Sequence, residues 1–308
     1  MPIERSPYDP IRDYEDVGVF LVSTYASTAT GSHRNWLQPR WEYMHYHPAL
    51  DLQRTQLSRC GVWRNEEQRI VGVVHFEGRP GVVYVQLDPT YASLKREMLQ
   101  FAADSLSGEF KIGKAVHVYL DEDDAEFGSI AASLGFEKMP EKQWEVTTCL
   151  KASDVPVGKL LPDGFEILGL DEDDDVSKVH RVMHRGFNHE GEPPEEDLDA
   201  RGRKLSAPGL RKDLTIVARA PDGAFVSFCG MWIDATNRVA YVEPVATDPD
   251  YRRMGLGTAV VLEGVRRCIA EGATVAYVGS NQPFYHSMGF EVCSAHAPWR
   301  KVLDKTER

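Results

Sequence analysis

The chain has 308 residues, is 42% apolar and carries a formal net charge of −12. Its length predicts about two domains. Its acidic balance and lack of any long apolar run argue against nucleic acid or a membrane as partner. Five scattered cysteines (60, 149, 229, 268, 293), none in Cys-x-x-Cys spacing, read as small core residues in a reducing compartment. Met1-Pro2-Ile3-Glu4-Arg5 runs into acidic sequence without an apolar signal region, which points to a cytoplasmic protein.

Along the first half, an aromatic run, Trp36 to Tyr43, is read as core or as an interface. His45 and His47 fall on one face if extended, with His33 near, but no third or fourth metal ligand is apparent, and no metal is expected. Two strand-like runs, Gly61–Arg64 and Arg69–Glu77, precede a third, Val82–Gln86. Asp88 to Lys95 then leads into a helical pattern without any glycine. Ala115–Leu120 reads as a further strand, and the acidic run Asp121–Asp124 as the solvated cap of a short helix ending near Leu134-Gly135-Phe136-Glu137.

Lys151–Gly164, which carries Pro156, Gly158, Pro162 and Gly164, reads as the joint. Beyond it, Asp171–Asp175 caps another helix, and His189–Asp197 reads either as an acidic lid that would attract a cationic amine or as a merely solvated loop. Strand-like runs follow at Leu214–Ala220, Ala224–Ile233 (with Trp232) and Val239–Val242, the last running into Glu243-Pro244. After Val245, Ala246 and Thr247 comes Arg252-Arg253-Met254-Gly255-Leu256-Gly257-Thr258, then helical spacing from Val261 to Ile269, stopped by Gly272. Thr274–Val278 is a strand, and Asn281 to Phe290 a short helix with a glycine turn.

The two halves repeat. Val82–Gln86 mirrors Val239–Glu243 at an offset of 157, and Leu134–Glu137 mirrors Met288–Glu291 at 154. Two α/β units result, at 1–155 and 156–308. Their chemistry differs. A glycine turn that opens a helix offers unpaired N–H groups and the positive end of a dipole, an anion site. Val260 stands where the dinucleotide fingerprint needs its third glycine, and no P-loop lysine is present.

Arg252-x-x-Gly255-x-Gly257, preceded by a strand with a Glu243-Pro244 break and followed by Asn281…Tyr285…Gly289-Phe290, resembles the acyl-CoA-binding signature of the GCN5-related N-acetyltransferases. The resemblance spans the chain as a tandem of two mixed, mostly antiparallel α/β (α+β) folds. It implies that Val245, Ala246 and Thr247 pair with pantetheine, and that Arg252, Arg253, Met254, Gly255, Leu256, Gly257 and Thr258 hold the pyrophosphate of acetyl-CoA, with Asn281 assisting. Tyr285 becomes the acid for the leaving thiolate and Glu243 the general base. Asn281 stands four residues before Tyr285, closer than is usual in that family.

Gln86 in the first half cannot accept the proton that Glu243 would, and Phe127 or Ser129 falls near the tyrosine's place. The N-terminal lobe is therefore expected to be degenerate and structural, binding no acetyl-CoA. The expected reaction is acetyl transfer to a primary amine of a small molecule or peptide, by a monomer or homodimer. A non-catalytic acyl-CoA-binding module and a mycothiol-synthase-like enzyme are the competing readings.

Overall fold

The computed structural model describes residues 3–29, 33–47, 54–157 and 161–305. The chain divides into two compact units: Met1–Val146 with Ser294–Arg308, and Thr147–Cys293.

Unit 1 opens with β1 (Glu4–Pro7) and α1 (Pro10–Thr28). Asp9 caps α1 by accepting from the Ile11 amide, and Pro10 sits in the first turn, where no N–H is missed. After α2 (Gln38–His45) come β2 (Gly61–Arg64), β3 (Ile70–Phe76) and β4 (Val82–Leu87). Every residue of β3 is buried, as its β-branched run demands of a strand covered on both faces. β1 to β4 are antiparallel in order, and β4 then pairs in parallel with β6 (Gly113–Asp121), reached through α3 (Lys95–Ser105) and the short β5 (Gly108–Phe110). α4 (Ala125–Ser133) and β7 (Glu137–Lys138) follow, then β8 (Glu145–Lys151), which leaves the unit at Val146. The far edge of β6 is filled by residues 296–305, antiparallel.

Unit 2 begins on the rest of β8 and continues through β9 (Glu166–Gly169), α5 (Val176–Gly186), α6 (Leu198–Leu205), β10 (Ile216–Arg219), β11 (Phe225–Asp234) and β12 (Val239–Thr247). α7 (Leu256–Ala270), β13 (Val275–Val278), α8 (Pro283–His286) and β14 (Glu291–Lys305) complete the chain. β9 to β12 are antiparallel, β12 and β13 parallel, and β8 closes the far edge of β13. Alternate residues feed two cores. Ile216, Cys229 and Met231 pack with Val260, Val261 and Val265 of α7, while Val217 and Phe228 pack with Val179, Val182 and Met183 of α5. That alternation is the two-residue period of a sheet covered on both faces.

The units therefore differ at both joints from the division at residue 155. Residues 147–155 go with the second unit and 294–308 with the first. The physical reason is edge pairing: the open edge of β13 takes Thr148–Lys151, and the open edge of β6 takes His296–Lys305. Gly158 of the joint lies outside the described residues. The two acidic runs do cap helices, through Asp124 and Asp175. The first is not a solvated run, however. Asp121 and Asp124 are buried, held by Arg34 at 2.8 Å and Lys95 at 2.9 Å.

Candidate active site

β12 does three things at once. Its pairing to β11 slips between Cys229↔Val245 and Met231↔Val242, leaving Glu243 and Pro244, joined by a cis peptide, bulged out of the ladder. Gly230 makes room for this, since a Cβ there would stand 2.4 Å from the Glu243 carbonyl oxygen. That oxygen accepts from the buried Trp232 indole N–H at 2.7 Å. On its other edge β12 parts from β13: pairing stops at Tyr241↔Tyr277, although β12 runs on to Thr247. Among the described residues, no strand pairs with the β13 side of 245–247.

The turn after β12 ends in α7, whose N-cap is Gly255 with φ +85° and no side-chain cap. Its first amides consequently have no partner within the helix. Gly255 supplies the left-handed conformation, and the space where its Cβ would stand is open. Gly257 answers a packing demand, because a Cβ there would lie 3.0 Å from Thr247 Oγ1 and 3.3 Å from the Phe284 ring. Arg252 is engaged within the protein, donating to Thr247 O (3.1 Å), Gly186 O (2.9 Å) and Asn188 Oδ1 (2.8 Å). Arg253, at φ +68°, is exposed and makes no ion pair among the described residues. The turn's root is Asp248, buried and gripped by Arg185 at 2.5 and 3.0 Å. Burial opposes ionisation there, but the Arg185 hydrogen bonds overcome it and hold the carboxyl below its ordinary range.

Tyr285 of α8 is buried, and burial raises its phenol well above the ordinary value, with Cys229 and Glu243 near enough to add to the effect. It stays protonated at neutral pH. Glu243 has a second neighbour, Lys204 of α6, which is 3% exposed. Burial and then Arg201 push the Lys204 ammonium well below its ordinary range, and Glu243 supports its charge. Asn281 is exposed and hydrogen-bonds His286 Nε2 at 2.8 Å. The acidic loop is drawn along α5: His180 Nε2 lies 3.1 Å from Pro194 O, Arg181 donates to Glu192 at 3.2 Å, and His184 Nε2 lies 3.1 Å from Glu190 O.

Residues 179–290 match the family model for acetyltransferases of the GNAT family. This part of the chain is a GNAT domain. No curated protein matches the chain. A solved tandem GNAT protein from the clavulanic acid biosynthesis pathway is similar at 15% identity over 99% of this chain and 100% of its own, with a TM-score of 0.62. A GCN5-related N-acetyltransferase from Sphaerobacter thermophilus is similar at 14% identity over 97% and 95%, TM-score 0.58. Saccharomyces cerevisiae N-myristoyltransferase with bound myristoyl-CoA is similar at 13% over 97% and 79%, TM-score 0.53. At such identities the likeness is one of fold, and it covers both units.

Within the GNAT domain, Glu243 lies within electrostatic reach of Tyr285, and the turn at 252–258 opens α7. Lys204 escaped notice because nothing marks which of the cations on α6 (Arg201, Arg203, Lys204) turns inward. Trp232 proves to be core that braces the bulge.

The corresponding part of unit 1 is closed. β4 keeps unbroken register with β3 up to Leu87, so Gln86 sits in no bulge. Its pairing with β6 also stops early, at Tyr84↔Tyr119, but here the chain itself fills the gap. Asn35 accepts from the Leu87 amide at 2.8 Å and donates to the Leu87 carbonyl at 3.2 Å. The Trp36 amide donates to Gln86 Oε1 at 2.7 Å, and Arg34 binds Asp121 at the end of β6. α3 follows a 3₁₀ turn and has no glycine at its start. The histidines nearby serve packing. His45 Nε2 accepts from Tyr8 at 2.8 Å, its Nδ1 donates to Trp41 O at 2.9 Å, and burial pushes its pKa down to about 4. Among the described residues no group of three or more His, Cys, Asp or Glu is placed to hold a metal.

Proposed function

We propose that the GNAT domain transfers an acetyl group from acetyl-CoA to a primary amine of a small molecule or peptide, in the cytoplasm. The observation that carries this reading is the edge of β12 at 245–247, which no strand covers, beside the uncapped start of α7. Extended pantetheine adds to that edge through backbone groups of Val245, Ala246 and Thr247. The amides at 253–258, with Arg253, receive the pyrophosphate. Arg252 shapes the turn from inside, and Asn281 borders the site through α8.

Glu243 takes the proton of the acceptor ammonium, and the neutral amine attacks the thioester carbonyl. The tetrahedral adduct expels CoA thiolate, and Tyr285, protonated at neutral pH, gives its proton to the sulfur. The proton shed by the adduct nitrogen as the amide forms leaves through solvent, from which the phenol is reprotonated. The filled gap in unit 1 supports a supporting role for that lobe and one cofactor per chain.

Release of CoA thiol from acetyl-CoA, followed across a panel of amines, tests the reading. Turnover with one class of amine is expected, falling when propionyl- or succinyl-CoA replaces acetyl-CoA. Thermal stabilisation by acetyl-CoA without thiol release for any amine would instead mark a binding module.

A further inference from the structure

Two of the five cysteines meet on neighbouring strands of unit 2. Cys149 lies on β8, opposite Tyr277 of β13. β14 runs along the other edge of β8 and brings Cys293 to the part of that strand that carries Cys149, close enough for the two thiols to influence each other. Cys293 Sγ also lies 3.4 Å from Thr147 O. Both residues are half-buried.

The other three are chemically quiet. Burial pushes the Cys60 and Cys268 thiols up to about 12 and Cys229 well above the ordinary value, so none forms a thiolate near neutrality. Cys149 moves the other way, to about 7. The hydrogen bond from Cys293 is the main cause, and Lys151 adds to it against burial. A thiolate beside a second thiol, on a strand paired along both edges, has what disulfide exchange requires.

We propose that Cys149 and Cys293 are a thiol pair that reacts with low-molecular-weight disulfides and closes to an intrachain disulfide. The Cys149 thiolate attacks one sulfur of the small disulfide, breaking its S–S bond and releasing one thiolate, which takes a proton from water. Cys293 gives its proton to solvent and attacks the Cys149 sulfur of the mixed disulfide, releasing the second small thiol. Two protein thiols are oxidised and one small disulfide is reduced to two thiols.

The bond would form next to a strut of the candidate site. Thr148, buried between the strands, donates its hydroxyl to Ser280 O at 3.0 Å, where the chain turns toward Asn281 and Tyr285. Closing the pair fixes β8 to β14 on either side of that segment.

The test is intact mass and thiol titration of the reduced full chain after incubation with oxidised glutathione. Wild type should lose the mass of two hydrogens, drop from five titratable thiols to three on denaturation, and regain them with dithiothreitol. Cys293→Ser should stop at the glutathione adduct and Cys149→Ser should remain unmodified. The wild-type rate should rise from about pH 6 to about pH 8, as the thiolate population grows. A stable adduct on wild type, a bond mapped by peptide analysis to other cysteines, or no reaction would overturn the proposal. Peptide mapping needs only the wild-type chain, so the test survives a serine variant that fails to fold.

Discussion

The indole N–H of Trp232 and the main-chain carbonyl of Glu243 are joined across β11 and β12 at 2.7 Å. The contact matters because the bulge gives up ladder hydrogen bonds at Glu243, and an orphaned buried carbonyl costs about 1–3 kcal/mol. Trp232→Phe keeps the ring and removes the donor. Chemical denaturation should show unit 2 destabilised by about that amount, and turnover should fall because Glu243 is no longer held in place. Unchanged denaturation and unchanged turnover together would separate the indole from the bulge.

Tyr285→Phe removes one hydroxyl from a buried ring packed on Phe284 and Phe290. General acid groups typically contribute about 10²–10⁴-fold. We expect kcat to fall by at least about 10²-fold while acetyl-CoA affinity, measured by calorimetry, stays within about twofold. Loss of affinity with intact kcat would give the hydroxyl a binding role.

Glu243 and Lys204 give a signed expectation for pH dependence. The carboxylate supports the Lys204 charge, and the interaction is mutual, so a Lys204 ammonium favours the charged form of Glu243. Lys204→Met removes that support. The acid limb of kcat/KM, set by ionisation of Glu243, should therefore move to higher pH, and Glu243→Gln should abolish the limb. A profile that Lys204→Met leaves in place would mean that Lys204 is neutral in the working enzyme.

Much of this was legible in the sequence. The strands, the offset repeat and the Arg-x-x-Gly-x-Gly turn are local patterns, and local patterns survive folding. The strand edges were not legible, because no periodicity in 145–151 or 291–305 says which open edge each segment will complete. Asn35 escaped for the same reason. Its carboxamide matters only because Leu87, 52 residues away, ends beside it. Glycines were read correctly as a turn but only partly for cause: Gly255 provides the φ, while Gly257 answers to Thr247 and Phe284.

The Asn35–Leu87 pair is itself testable. Asn35→Ala would leave two partly buried backbone groups without their side-chain partner, a loss of about 2–6 kcal/mol summed over both. Calorimetry on wild type should give one CoA per chain. If unit 1 were merely a blocked second site, Asn35→Ala would raise that count to two. Because α3 also lacks a glycine-opened start, the count should stay at one while stability falls.

Three buried histidines set the acid limit of unit 1. Burial lowers His75 to about 3 and His33 and His45 to about 4. Each is neutral in the folded state, whereas in the unfolded chain it protonates near 6.5. The sign follows from which state binds more protons. Above about pH 6.5 neither state is charged and these residues leave stability unaffected by pH. As pH falls below that value the unfolded state gains protons that the folded state refuses, so stability declines until the folded pKa values are reached. The slope approaches about 1.4 kcal/mol per pH unit for each imidazole. Chemical denaturation between about pH 7 and pH 5 should therefore show a falling midpoint. His45→Gln should be less stable at neutral pH but lose less on acidification, since one of the three titrations is gone. An equal pH slope in wild type and variant would remove His45 from the account.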